Sequence, residues 1–323
     1  MSRLYSLILL ITCFAFTVPA LAHEDPLVEK KKQYSKSYAI NGNDLISLTN
    51  KFGQLKINTW NKSEVKVDVS ITAEAGTDER AQLILDNINI SDGKNGDGVY
   101  FKTTIKNINS RGNRVERNEK TSFRVDYEVY LPAGNPLSAA NEFGSTSIGD
   151  HTGETSIISK FGSVKAGKLS NTKKIEIEFG SMVLESMNNG NLVVKFSSVD
   201  VQNTSGSLDV VIEHSSAKLK LDNNVKDLKV KNSFSPLILD VPTNFNASFD
   251  IHTSFAKLKN STGFTINKEG DEKDRGPKFD FDYSGKAGNG ATPVKVRTEF
   301  GDVTIGHNVP FKVDDKKKKT KDI

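Results

Sequence analysis

One short pattern recurs at near-constant spacing, and it limits the fold more than any other feature. A phenylalanine is followed by a small residue, then by apolar residues at alternate places. The copies are KFGQLKI (51–57), EFGSTSI (142–148), KFGSVKA (160–166), EFGSMVL (178–184), KFSSVDV (195–201), EHSSAKL (213–219), SFSPLIL (233–239), SFAKLKN (254–260) and EFGDVTI (299–305). Seven anchors follow one another at near-even steps: Phe143, Phe161, Phe179, Phe196, His214, Phe234 and Phe255. Phe52 stands alone early and Phe300 late.

Apolar residues alternate on both sides of each anchor, as where one face of a strand is buried and the other is wet. In one unit Ile175 and Ile177 share parity with Phe179, and Met182 and Leu184 continue beyond it. Turn formers separate the units, as at Asn188-Asn189-Gly190 and Asp222-Asn223-Asn224. A unit is therefore two short strands meeting at a corner. One unit cannot bury its own apolar face, but stacked units cover one another. The expectation is an all-β, single-chain β-solenoid (β-helix-like), with the anchors forming an internal ladder.

The position after the anchor is always small: Gly53, Gly144, Gly162, Gly180, Ser197, Ser215, Ser235, Ala256 and Gly301. A corner stacked on like corners leaves little room there. Next comes a column of serines, Ser145, Ser163, Ser181, Ser198 and Ser216. Five equivalent copies predict a ladder of hydroxyls along the stack rather than a nucleophile.

Flanking segments differ. Residues 23–135 predict a strand-rich cap with one amphipathic helix near 78–88, N-capped by Thr77 or Asp78. The polar stretch 107–120 predicts a hairpin loop. Repeats are expected over 136–307, interrupted by an excursion at 262–292 before a final turn carrying Phe300. A basic tail, 308–323, follows.

The segment 1–22 reads as a secretory signal peptide. Arg3 precedes an apolar run of about fifteen residues, short of the roughly 20 of a spanning helix, and Ala20-Leu21-Ala22 forms a cleavage pattern. The chain's one cysteine, Cys13, lies inside that segment, so the exported chain is expected to have neither disulfide nor thiolate chemistry. Export places the protein in the periplasm or at the cell surface. No later segment predicts a membrane span. The formal net charge of +4 sits largely in Lys30–Lys32 and Lys316–Lys319, read as solvated tails. Acidic and basic residues are otherwise interspersed, which argues against a nucleic-acid partner.

The residues resemble the bacterial "putative adhesin" domain family, a secreted β-strand-repeat family of unknown function. The likeness rests on strands and a helix over 64–105, then YEVYLPAG (127–134), EFGSTSIGD (142–150), the serial units, and GKAGNGATPVKVRTEFGDVTIG (285–306). It spans roughly residues 35–307. It implies a β-helix-like fold and export, with no catalytic motif to carry over. The His214 anchor and the 262–292 excursion depart from the family pattern.

No catalytic, cofactor or metal site emerges. His214 and His252 lie two units apart, too far for a shared ion. Asp200, Asp209 and Glu213 alternate on outward strand positions. Asp271, Asp274, Asp280 and Asp282 lack calcium-loop spacing. The expectation is a non-enzymatic, monomeric envelope protein without cofactors, offering a repetitive β surface to an envelope polysaccharide or protein. The alternatives are a self-assembling structural or envelope-stress protein and, less favoured, a polysaccharide-acting enzyme.

Overall fold

The computed structural model describes residues 27–106, 120–270 and 279–314. The signal segment with Cys13, residues 107–119 of the hairpin loop, Asp271, Asp274 and Lys316–Lys319 lie outside the described residues. Within them, 21 strands form one continuous wound sheet, a β-solenoid-like fold, and one helix packs against its N-terminal end.

The middle of the stack shows how the repeat works. Strands β10 (His151–Lys160), β11 (Ser163–Glu178), β12 (Ser181–Lys195), β13 (Ser198–Glu213) and β14 (Ser216–Ser233) pair in parallel, each with the next. From β11 onward each strand covers two arms of a coil and bends between them. The bend is a register shift, between Leu169 and Lys174 in β11 and between Asn188 and Gly190 in β12. Asn189, Gly190 and Gly206 take positive φ there, a backbone state that asparagine and glycine enter most readily. Inward positions follow the alternation: Val164, Ala166, Leu169, Ile175 and Ile177 of one coil lie over Met182, Leu184, Met187, Leu192 and Val194 of the next. All belong to one buried cluster.

Spatial order departs from sequence order at both ends. Strands β2 (Leu45–Lys51) and β3 (Leu55–Trp60) lie beside β8 (Leu137–Glu142) and β9 (Thr146–Ile148), so the Phe52 coil adjoins the Phe143 coil. The intervening chain folds outward, with β6 (Gly98–Ile105) and β7 (Ser122–Pro132) parallel to β2 and β3 on their far side. Antiparallel β5 (Ile88–Asn95), β4 (Glu64–Ala75) and β1 (Val28–Ala39) complete that end. Helix α1 (Asp78–Asp86) buries Ala81, Ile84 and Leu85, and its N-cap Thr77 accepts a bond from the Arg80 amide at 3.2 Å. Tyr34 and Tyr38 of β1 both donate to the carboxylate of Asp92 on β5, Tyr34 at 2.5 Å. This joins the outermost strands of the two arms.

Lys30–Lys32 are not a solvated tail. They sit in β1, paired with Ile71–Ala73 of β4. β1 is an edge strand, and exposed lysines on an edge discourage pairing with another sheet.

At the other end, β15 (Leu237–Asp240), β16 (Ala247–Ser254) and β17 (Leu258–Asn260) leave a gap one coil wide. Strands β20 (Thr292–Glu299) and β21 (Val303–Gly306) fill it, β20 between β14 and β16, β21 between β15 and β17. The coil carrying Phe300 is therefore not the final turn but the penultimate one, inside the Phe255 coil. The excursion is also more regular than expected. Strands β18 (Thr265–Lys268) and β19 (Asp280–Ala287) pair antiparallel, with β19 running along β16 and β18 on its outer side. Beyond β21 the chain turns back over the outer face. Asn308 N–H donates to Asp240, Lys218 to the Val309 carbonyl at 2.7 Å, and Asp314 N–H to Ser198 Oγ at 3.2 Å.

Candidate functional site: an exposed aromatic column

The nine anchors share a backbone state that side-chain parity could not reveal. Phe52, Phe143, Phe161, Phe179, Phe196, His214, Phe234, Phe255 and Phe300 all have φ between 48° and 61°. This left-handed conformation disfavours any residue with a Cβ, by roughly 1–2 kcal/mol. It also breaks the period-2 alternation, so the side chain leaves the corner outward. The ladder is therefore external, not internal: Phe143 is 40% exposed, Phe161 46%, Phe234 51% and Phe255 52%. The core is filled without the anchors.

The rings stack. Centroids from Phe52 through Phe143, Phe161, Phe179, Phe196, His214 and Phe234 to Phe300 and Phe255 are 4.8–5.1 Å apart, with planes within 9° of parallel. The spacing is that of neighbouring strands, about 4.7–4.9 Å, so the backbone ladder sets the ring ladder. Each stacked pair stabilises by about 0.5–1.5 kcal/mol beyond its burial, comparable to the backbone cost of each anchor. Anchor amides keep the rungs in step: Phe143 N–H donates to the Lys160 carbonyl, Phe161 to Glu178 and Phe179 to Lys195, at 2.9–3.1 Å. His214 stands in the same line, 5.1 Å from Phe196 and 4.8 Å from Phe234.

The small-residue column explains how the corners approach. A Cβ on Gly144 would lie 1.8 Å from the Gly53 carbonyl oxygen, and one on Gly162 or Gly180 1.9 Å from the glycine oxygen of the preceding rung. Further along, serines take over. Gly180 N–H donates to Ser197 Oγ at 3.0 Å, Ser197 N–H to Ser215 Oγ at 3.0 Å, and Ser215 N–H to Ser235 Oγ at 2.8 Å. Each hydroxyl donates in turn to the carbonyl two positions earlier. The hydroxyl ladder thus lies one position nearer the anchor than expected. In the expected column Ser216 bonds Ser198 at 3.0 Å, whereas Ser145 and Ser163 are exposed. Ala256 and Gly301 occupy the same corner position in the last two coils, and a Cβ on Gly301 would lie 2.2 Å from the Ser235 carbonyl oxygen.

Two further rings extend the column. Phe123 meets Phe52 edge-on at 5.1 Å, and Phe279 stacks on Phe255 at 4.7 Å. Neither has positive φ or a small residue after it. The one available signal was Lys278-Phe279, which shares the start of the KFG units.

One flank of the column alternates in charge. Over the first six rungs the residue before the anchor is Lys51, Glu142, Lys160, Glu178, Lys195 and Glu213, and Ser233, Glu299 and Ser254 take this place in the last three. Lys51–Glu142, Lys160–Glu178 and Lys195–Glu213 pair within the chain at 2.8–3.2 Å, all partly exposed.

The remaining titratable groups do not converge on a reaction centre. His252 Nδ1 meets Asp282 at 2.8 Å on the outer face of the C-terminal end. His151 is buried, its Nε2 2.7 Å from the Asn135 carbonyl, and burial pulls its pKa down. Asp200 lies beneath the returning tail. Burial pushes its carboxyl up, Lys218 works against this, and Asp240 adds to it. Asp209 stands beside Lys229 on the other arm. Among the described residues no group of three or more His, Cys, Asp or Glu is placed to hold a metal ion, and no helix is long and apolar enough to cross a membrane.

No family model matches the chain, and no curated protein matches it. The solved structures similar to it include two named for adhesion. One is a "putative cell adhesion protein" from Clostridium sporogenes, 14% identical, covering 86% of this chain and 100% of its own, with a TM-score of 0.25. The other is a "putative adhesin" from Bacteroides fragilis, 11% identical, covering 85% of this chain and 97% of its own, with a TM-score of 0.38.

Proposed function

We propose that the protein is a non-enzymatic, exported binding protein of the cell envelope whose contact surface is the aromatic column with its polar flanks. One observation carries this reading. Eight phenylalanines in or next to a single line are each 40–52% exposed, which at 150–250 Å² per side chain leaves roughly 700 Å² of apolar surface. A monomer's largest apolar patch is about 300–600 Å², and patches of that size mark interaction sites. An external anchor that contributes little to the core invites a role outside the fold.

The geometry also restricts what binds. Each anchor ring lies against rings on both sides, and Phe279 at the end is stacked on one face, so the column presents chiefly edges along its length. A sugar that packs on an open aromatic face finds none between the anchors, which favours an envelope protein over a polysaccharide along this stripe. Pull-down from envelope fractions with the chain from residue 23 tests the reading. Saturable capture should occur, and Phe161→Ser/Phe179→Ser should abolish it while circular dichroism stays unchanged. Equal capture by a folded variant would overturn it.

A further inference from the structure

Resting on that reading, we propose that the partner of the aromatic column is a second copy of this chain, docked antiparallel about a two-fold axis between the Phe161 and Phe179 rungs.

The charged flank carries the inference. Successive rungs present Lys51, Glu142, Lys160, Glu178, Lys195 and Glu213. Such alternation offers no net attraction to a polymer of one charge sign. It matches its own reverse. A two-fold axis lying across the column returns the same flank to the same side with rung order inverted, making the interface isologous. With the axis midway between Phe161 and Phe179, Lys51 faces Glu213, Glu142 faces Lys195, and Lys160 faces Glu178 of the second copy. All six charges meet their opposites. An axis through a rung would set like against like throughout, so the pattern selects the register as well as the partner.

In this register the exposed Phe143, Phe161, Phe179 and Phe196 face the second copy and contribute roughly 350 Å² of the about 800 Å² that each partner gives to a standard interface. The charged flank supplies further area, while Phe234, Phe255, Phe279 and Phe300 lie beyond the overlap. The in-chain pairs do not compete, because a carboxylate accepts from more than one cation. At the stack ends β1 is a lysine-bearing edge, and β17 and β18 are very short edges, which disfavours pairing there, while the side of the stack stays open.

Carbodiimide cross-linking of the intact protein, mixed from ¹⁴N- and ¹⁵N-labelled batches, tests the register without a substitution. Within one chain Glu142 and Lys195 are three rungs apart, about 14 Å, and Lys51 and Glu213 five rungs, about 24 Å. Neither pair can form a zero-length link except between copies. Mixed-isotope Lys195–Glu142 and Lys51–Glu213 peptides are expected. Sedimentation of variants supplies a second measurement. E142K and K195E should each weaken association at least tenfold, and the double variant should restore it to within threefold. A wild-type protein monomeric at 100 μM or above would overturn the second-copy partner, yet leave the envelope-binding reading standing if pull-down still depends on Phe161 and Phe179. A dimer that lacks these cross-links, or that the double variant does not rescue, would overturn the proposed docking. Association only with lipid vesicles, without dimer, would overturn it in favour of a membrane surface.

Discussion

Phe300 lies ring on ring with Phe234, centroids 4.9 Å apart and planes 5° from parallel, although the two are distant in sequence. Phe255, the next anchor along the chain after Phe234, stacks on the other face of Phe300, also at 4.9 Å. The last repeat thus closes a slot that earlier chain has left open. Replacing Phe300 with Ala removes two stacked pairs, a loss of about 1–3 kcal/mol. The urea midpoint should fall, and hydrogen exchange in 247–260 should accelerate more than in 181–213. Uniform acceleration across both would contradict a local seam.

The close corners predict a sharp contrast between neighbouring columns. In Gly162→Ala the new Cβ would start 1.9 Å from a backbone oxygen of the adjacent coil, so the stack must part locally, at a cost of about 3 kcal/mol or more. Ser197→Ala should be milder, about 1–3 kcal/mol, because it removes the acceptor for the Gly180 amide but demands no space. Thermal or urea unfolding of the two variants side by side measures the difference.

His151 gives the fold a pH dependence. Its ring is buried, and burial lowers the folded pKa below the ordinary value, near 6.5 in an unfolded chain. As pH falls, the unfolded chain takes up this proton first. The contribution from neutral His151 is therefore complete above about 6.5 and diminishes as pH drops through 6.5 toward the folded value. Urea midpoints at pH 8 and pH 5.5 should differ, and His151→Gln should shrink the difference.

Asp92 acts in a lower range. Burial alone would raise its pKa, but the hydroxyls of Tyr34 and Tyr38 outweigh that and hold it below the usual carboxylate value. The same bonds push the Tyr38 hydroxyl up to about 12. Stability from Asp92 is thus present above about pH 4 and lost as pH falls through the folded value. Asp92→Asn should cost about 1–2 kcal/mol at neutral pH, since the cluster is partly open to solvent, and should loosen β1 in hydrogen exchange. No change in β1 would show that the tyrosines do not tie it down.

Much of this architecture was legible in the residues. The even anchor spacing and the inward Ile175, Ile177, Met182 and Leu184 specify stacked coils, and the helix at 78–86 shows its cap and its buried face. The direction of the anchors was not legible. Counting parity from Ile177 to Phe179 assumes extended backbone, and φ of 54° at Phe179 invalidates the count. The Phe300 slot was also hidden, because a repeat unit does not encode its place in the stack. The long interval between Phe255 and Phe300, more than twice the repeat, was the sign that chain leaves and returns. The site was legible as a set of residues but not as a surface.

Hydroxyl-radical footprinting of dilute protein, read by mass spectrometry, tests the outward column most directly. Phe161, Phe179, Phe234 and Phe300 should be oxidised readily, while Phe101 and Phe245, buried in the core, stay protected. Protection of Phe161 and Phe179 equal to that of Phe101 would put the rings inside the stack and contradict the account.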